Sequence, residues 1–139
     1  MSLGALFNRK AVTAGPKDSL AKAAELMKEK NVGAIVVVEQ DRPVGIITDR
    51  DLALALALHG ALPGDPIQSR MMSPVETIRT DEGVYNVTQK MLELAVRRLP
   101  IVNHAGMLVG VVTLDDIIAL LSRELRNVAE GVRSEVAVA

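Results

Sequence analysis

The 139-residue sequence predicts an α/β fold of the α+β type, built from two pseudo-twofold halves that each carry a small sheet flanked by helices. Three observations carry this expectation. Val44 to Leu56, VGIITDRDLALAL, returns 65 positions later as VGVVTLDDIIALL, Val109 to Leu121. The helical pattern ahead of the cassette is duplicated as well: Leu20, Ala23, Ala24 and Met27 follow Asp18, and Val84, Val87 and Met91 follow Glu82. A long period repeated only twice is not a solenoid, which needs three or more stacked units. Finally, the chain is 49% apolar, enough to fill one ordinary core, whereas a half of about 60 residues would be marginal alone. The halves are therefore expected to fold against each other.

The first half opens with a short segment at Val12-Thr13-Ala14. Asp18 to about Lys30 then reads as a helix with an acidic cap, closed before Asn31-Val32-Gly33. Ala34 to Val38 is continuously apolar and β-branched, as a buried strand is. Glu39 to Pro43 makes a polar turn, and Val44 to Thr48 forms the antiparallel partner. Asp49 to His59 is helical. Gly60 to Pro74, with two glycines and three prolines, reads as a linker. The second half repeats the order, with a short segment at Glu76-Thr77-Ile78, a helix after Glu82, and strands at Leu99 to Val102 and Leu108 to Thr113. Pro100 belongs at a strand start or edge because it has no N–H for a ladder. A helix from Leu114 runs on through Leu121, Leu125, Val128 and Val132, an apolar stripe longer than its counterpart. The expected divisions are a first repeat at 9–60, a linker at 61–74, a second repeat at 75–122 and a helical tail at 123–139.

Composition narrows the function classes. Sixteen basic and seventeen acidic residues leave a net charge of −1, so no long-range field recruits nucleic acid or an anionic membrane. One Tyr and one Phe cannot supply the stacking platforms used for single strands, so a bound base must rest on aliphatic walls. With no cysteine there are no disulfides, zinc–thiolate sites or thiol nucleophiles. The first ten residues lack the pattern of a secretion signal, and the longest apolar stretch, Leu52 to Leu58, is too short to cross a bilayer. A cytoplasmic protein is expected.

The chemistry-bearing feature is the junction that ends each cassette. Thr48 is followed by Asp51, and Thr113 by Asp116. A strand-to-helix junction of this kind gathers backbone N–H groups, a hydroxyl and a carboxylate in one small volume, which suits a ribose and a phosphate. The same spacing also suits a capping pair, Thr at N-cap and Asp at N3, worth about 0.5–2 kcal/mol without any ligand. Arg50 can face a phosphate or pair with Asp49, Asp51 or a surface acid. In a strand, Arg97 and Arg98 would point to opposite faces, so only one would readily line a given cleft.

These residues resemble the cystathionine-β-synthase (CBS) domain family, specifically a tandem pair forming one Bateman module. The resemblance covers about residues 9 to 122. It rests on the Gly-apolar-apolar-Thr-x-x-Asp cassettes Gly45 to Asp51 and Gly110 to Asp116, the methionine-bearing helices before them, and the stretch Arg97-Arg98-Leu99-Pro100-Ile101-Val102. It implies a regulatory module that binds AMP, ADP, ATP or S-adenosylmethionine in clefts between the repeats, usually as a homodimer. It further implies that Asp51 and Asp116 bind ribose, that Thr48 and Thr113 face the phosphate, and that Arg50 reaches it. Backbone near Thr13-Ala14 and Thr77-Ile78, with the side chains of Ile35, Arg97, Arg98 and Pro100 at the central strands, would line the base pocket. The first repeat departs from the pattern, with Gly33-Ala34-Ile35-Val36 where the second has Arg97-Arg98-Leu99-Pro100.

Other candidates are bland. His59 and His104 fall in loops without metal-ligand or triad spacing. Met27 and Met91 read as core, and Met71 and Met72 as padding between repeats. Asp115 and Asp116 diverge by about 100° on a helix and have no nucleophile beside them, which argues against acid–base or metal catalysis. No catalytic cofactor is expected, and any output is expected to act in trans on an effector protein. The competing expectations are a ligand-free interaction module whose cassettes are only caps, and a small enzyme that turns the nucleotide over.

Overall fold

The computed structural model describes residues 10–138. The expected first-repeat start at residue 9 and the end of the tail at residue 139 lie outside the described residues. The elements are β1 Thr13–Ala14, α1 Leu20–Lys30, β2 Ala34–Glu39, β3 Arg42–Thr48, α2 Asp49–Leu58, a 3₁₀ turn at Ile67–Ser69, β4 Ile78–Arg79, α3 Val84–Leu94, β5 Arg98–Val102, β6 Leu108–Thr113 and α4 Leu114–Val138. They form two three-stranded sheets, ordered β1-β2-β3 and β4-β5-β6. In each, a short strand pairs parallel with the central strand, which pairs antiparallel with the last. The duplication in the sequence is thus a duplication in space.

Strand period two divides the burial. Ile35, Val37 and Ile47 face one core with Leu20, Ala23, Met27, Leu52 and Ile67, while Ile101, Val112, Val87, Met91 and Ile117 form its counterpart in the second repeat. The alternate residues Val36 and Ile46 are also buried but belong to neither cluster. They lie on the opposite sheet face, where the repeats meet. Across this seam the Leu108 N–H donates to the Asp41 carbonyl at 2.8 Å, and the Arg42 guanidinium donates to the Ala105 carbonyl.

Several local expectations are corrected. The cap of α1 is Ser19, whose hydroxyl accepts from the Lys22 N–H; Asp18 instead accepts from the Gly15 N–H at 2.7 Å. That bond, with Lys22 nearby, holds the Asp18 carboxyl below its ordinary range. The first hairpin turn is tighter than Glu39 to Pro43, because Gln40 and Asp41 both adopt positive φ (51° and 62°), and Pro43 joins β3 opposite Val38 at a register shift. Pro100 sits inside the central strand β5, paired with Val111. In the first repeat the equivalent Val36 N–H donates to the Val12 carbonyl; at Pro100 that bond is missing, and β4 begins only at Ile78.

The 61–74 segment connects the repeats and also packs on the first of them. Ile67 is fully buried in the first core, and Leu20, Ala21 and Ile67 exchange backbone bonds with Asp65, Pro63 and Asp18. Met72 exchanges backbone bonds with Ile46, laying the segment over β3. Gly45 lies beneath it. A Cβ there would come 3.0 Å from the Met72 carbonyl oxygen and would collide with the Met71 side chain, which explains the glycine that opens the first cassette. Gly45→Ala is expected to destabilise the fold by about 1–3 kcal/mol, read as a lowered melting temperature.

Candidate functional site

Both cassette junctions fold as reciprocal capping pairs. The Thr48 N–H donates to Asp51 Oδ2 at 2.9 Å, and the Asp51 N–H donates to Thr48 Oγ1 at 3.1 Å. The matching distances for Thr113 and Asp116 are 3.0 and 3.1 Å. Each helix start is also tied to the residue leading into the central strand: Asp49 N–H donates to the Gly33 carbonyl, and Leu114 N–H to the Arg97 carbonyl. Strand end, helix N-terminus and central-strand start are thereby held together in each repeat.

Packing the two repeats then creates two clefts, each built from the capping pair of one and the central-strand start of the other. The first, about 580 Å³, joins Thr48, Arg50 and Asp51 to Val96, Arg97 and Arg98, with Val75 and Glu76 on its wall. The second, about 520 Å³, joins Thr113, Asp115 and Asp116 to Gly33, Ala34 and Val36, with Lys10 to Val12 on its wall. Both fall within the range of small-molecule sites, about 300–1,000 Å³.

The structure therefore brings Thr48, Arg50, Asp51, Arg97 and Arg98 into one cleft, and Thr113, Asp116 and Arg98 into the other. The remaining expected residues do not line either. Ala14, Ile35, Ile78 and Pro100 are buried, the first three with their side chains in the cores. Ile35 faces inward because strand alternation turns Ala34 and Val36 toward the cleft instead. Thr13 is exposed and borders a separate groove with Asn103, and the Thr77 carbonyl is held by Lys90 Nζ at 2.7 Å. The walls come from residues just upstream, 10–12 and 74–76. The parity of Ala34 and Val36 was available in the sequence; the upstream shift was not, because it depends on how far β1 and β4 slide along the central strands.

Arg97 and Arg98 both line the first cleft, against the expectation of opposite faces. Strand alternation does not apply to Arg97, because β5 begins at Arg98 and Arg97 lies in the turn after Ala95, the helix cap at φ 53°. The first cleft thus presents three arginines against Asp49, Asp51 and Glu76, and Lys90 Nζ stands 3.8 Å from Glu76. The second presents Lys10 and Arg98 against Asp115 and Asp116. Arg50 is exposed, and among the described residues its side chain has no hydrogen-bond or ion-pair partner; only its backbone N–H donates, to Asp49. His59 and His104 are exposed, and Met27 and Met91 are core. Met71 packs against the first core, while Met72 is half-exposed on the wall of the first cleft. Among the described residues no helix is long and apolar enough to cross a membrane.

Comparison with known proteins agrees with this architecture. The CBS domain family model matches residues 3–58 and 67–123. An uncharacterised protein of Methanopyrus kandleri is 38% identical over 120 residues, 85% of this chain, and the match takes in 61% of that protein's length. The CBS domain-containing protein YhcV of Bacillus subtilis is 38% identical over 105 residues, 76% of this chain and 74% of its own. Among solved structures, the CBS domain pair of protein MJ0100, in complex with 5′-methylthioadenosine and S-adenosyl-L-methionine, superposes with a TM-score of 0.79 at 29% identity, covering 89% of this chain and 98% of that one. Two matched repeats, two sheets of the same order and a shared seam lead to one statement: the chain belongs to the CBS domain family, as a tandem pair of its repeats.

Proposed function

We propose that the protein is a regulatory module that binds an adenosine-containing ligand, such as AMP, ATP or S-adenosylmethionine, between its repeats and signals occupancy to an effector protein in trans. The observation that carries this reading is the composition of each cleft: a carboxylate, a hydroxyl and a helix N-terminus from one repeat stand opposite the central-strand start of the other. Asp51 Oδ2 is engaged by the Thr48 N–H, and the second carboxylate oxygen is the acceptor offered to ribose hydroxyls. Thr48 and the N-terminus of α2 suit an anionic group beside it. Val96, Val75 and Ile46 supply the aliphatic walls for a base. The complex of the related MJ0100 pair with two adenosine derivatives supports the same ligand class. These groups recognise and orient, which favours regulation over turnover.

A thermal-shift panel of adenine nucleotides, guanine nucleotides and S-adenosylmethionine tests the reading. A ligand at 100 times its Kd should stabilise the fold by about 2.7 kcal/mol. A flat panel would leave the capping pairs as structure only and favour the interaction-module reading. Within the first cleft, Arg50→Ala should weaken AMP by about 10- to 150-fold, the worth of a hydrogen bond to a charged group, and leave adenosine unchanged. Equal losses for both ligands in calorimetry would remove Arg50 from the phosphate.

We further propose that the module is a homodimer whose α4 helices pair. Ile118, Leu121, Leu125, Val128 and Val132 are all more than half exposed and alternate at spacings of three and four, the narrow seam of a coiled coil rather than the broad face of a core helix. Small residues flank it, Ser122, Ala129 and Gly131, allowing close approach. From residue 123 onward three arginines meet three glutamates, so a second copy encounters no net repulsion.

A further inference from the structure

Among the described residues, Arg98 is the one charged residue that lines both clefts. It opens β5, paired across the ladder with Thr113 of the second cleft, and it is half-buried. Among the described residues its guanidinium has neither a hydrogen bond nor an ion pair, so nothing ties it to one side. The pseudo-twofold should supply a second such cation at position 34, but Ala34 stands there, and it lines only the second cleft. Two clefts therefore share one arginine. A guanidinium is a single planar fork that grips one anion in bidentate fashion, and it cannot serve two anions in separate cavities at once.

We infer that Arg98 couples the two clefts negatively: an anionic ligand in one recruits its guanidinium and leaves the other to bind without it. The inference rests on the adenylate-binding reading above and adds to it the sign of communication between the sites. The coupling is specific to charge. AMP in one cleft lowers the affinity of the other for AMP, whereas neutral adenosine binds the two clefts independently. A coupling of this kind lies in the ordinary range of about 5- to 150-fold.

Calorimetry of AMP and of adenosine with the full chain, Arg98→Ala and Arg98→Gln tests it. Glutamine keeps most of the side chain's length without its charge, and a melting curve of each variant reports on folding. In the unaltered protein two AMP molecules should bind per chain, the second more weakly. Both variants should weaken the first AMP by about 5-fold or more, leave the second unchanged, and leave both adenosine affinities unchanged. Equal weakening of the two AMP events, no change in either, or a stoichiometry of one AMP in every protein would overturn the coupling while leaving adenylate binding in place. No binding of AMP or adenosine to the unaltered protein would overturn the adenylate reading, and the coupling with it.

Discussion

Asp51→Ala is expected to lower the affinity of the first cleft for AMP and for adenosine alike by about 10- to 150-fold, because both ligands carry the ribose whose hydroxyls we propose donate to its carboxylate. The same substitution should cost about 0.5–2 kcal/mol of stability, since the Thr48 N–H loses its 2.9 Å partner and half of the capping pair disappears. The two effects are separable. Asp51→Asn keeps a side-chain oxygen for the Thr48 N–H while removing the charge, so it should melt close to the unaltered protein and still bind both ligands weakly. If Asp51→Asn retains full affinity, or if Asp51→Ala loses stability but no affinity, the carboxylate is a cap alone. Unequal losses for AMP and adenosine would place it on the phosphate rather than the ribose.

Removal of the chain after Arg123 is expected to change the oligomer most. The cut deletes Leu125, Val128 and Val132 from each α4 helix, three exposed apolar side chains whose burial is worth about 1.5–3 kcal/mol each before the costs of association. Allowing for those costs, the Kd of the proposed dimer should rise by at least about 1,000-fold, or about 4 kcal/mol, so that sedimentation at micromolar concentration shows monomer. The cores of both repeats end before the cut, at Ile117 in the second, so the truncated chain should keep its fold. An unchanged dimer would move the interface to a second exposed apolar surface, Leu54, Leu56 and Leu58 on α2, of which Leu58 is 69% exposed.

The duplication, the order of the elements, the Thr-x-x-Asp junctions and the apolar stripe of α4 were all legible in the residues. Each rests on local rules: period 3.6 for helices, period two for strands, and a hydroxyl three residues before a carboxylate at a helix start. Reading failed where one segment's conformation depends on another. Pro100 was expected at a strand start or edge, yet it lies within β5, because β4 begins one step too late to require its N–H. Gly60 to Pro74 carries the composition of a linker, but Ile67 drops into the first core and Met72 docks on β3 above Gly45. The cleft walls shifted upstream to residues 10–12 and 74–76 for the same reason, since parallel strands from distant parts of the chain have no local register signal. The sequence by itself determined that two matched junctions exist, each with a hydroxyl three residues before a carboxylate at a helix start. Only the tertiary structure decided that each junction completes its cleft with the other repeat, and that Arg98, on the shared seam, borders both clefts while Ala34 borders one.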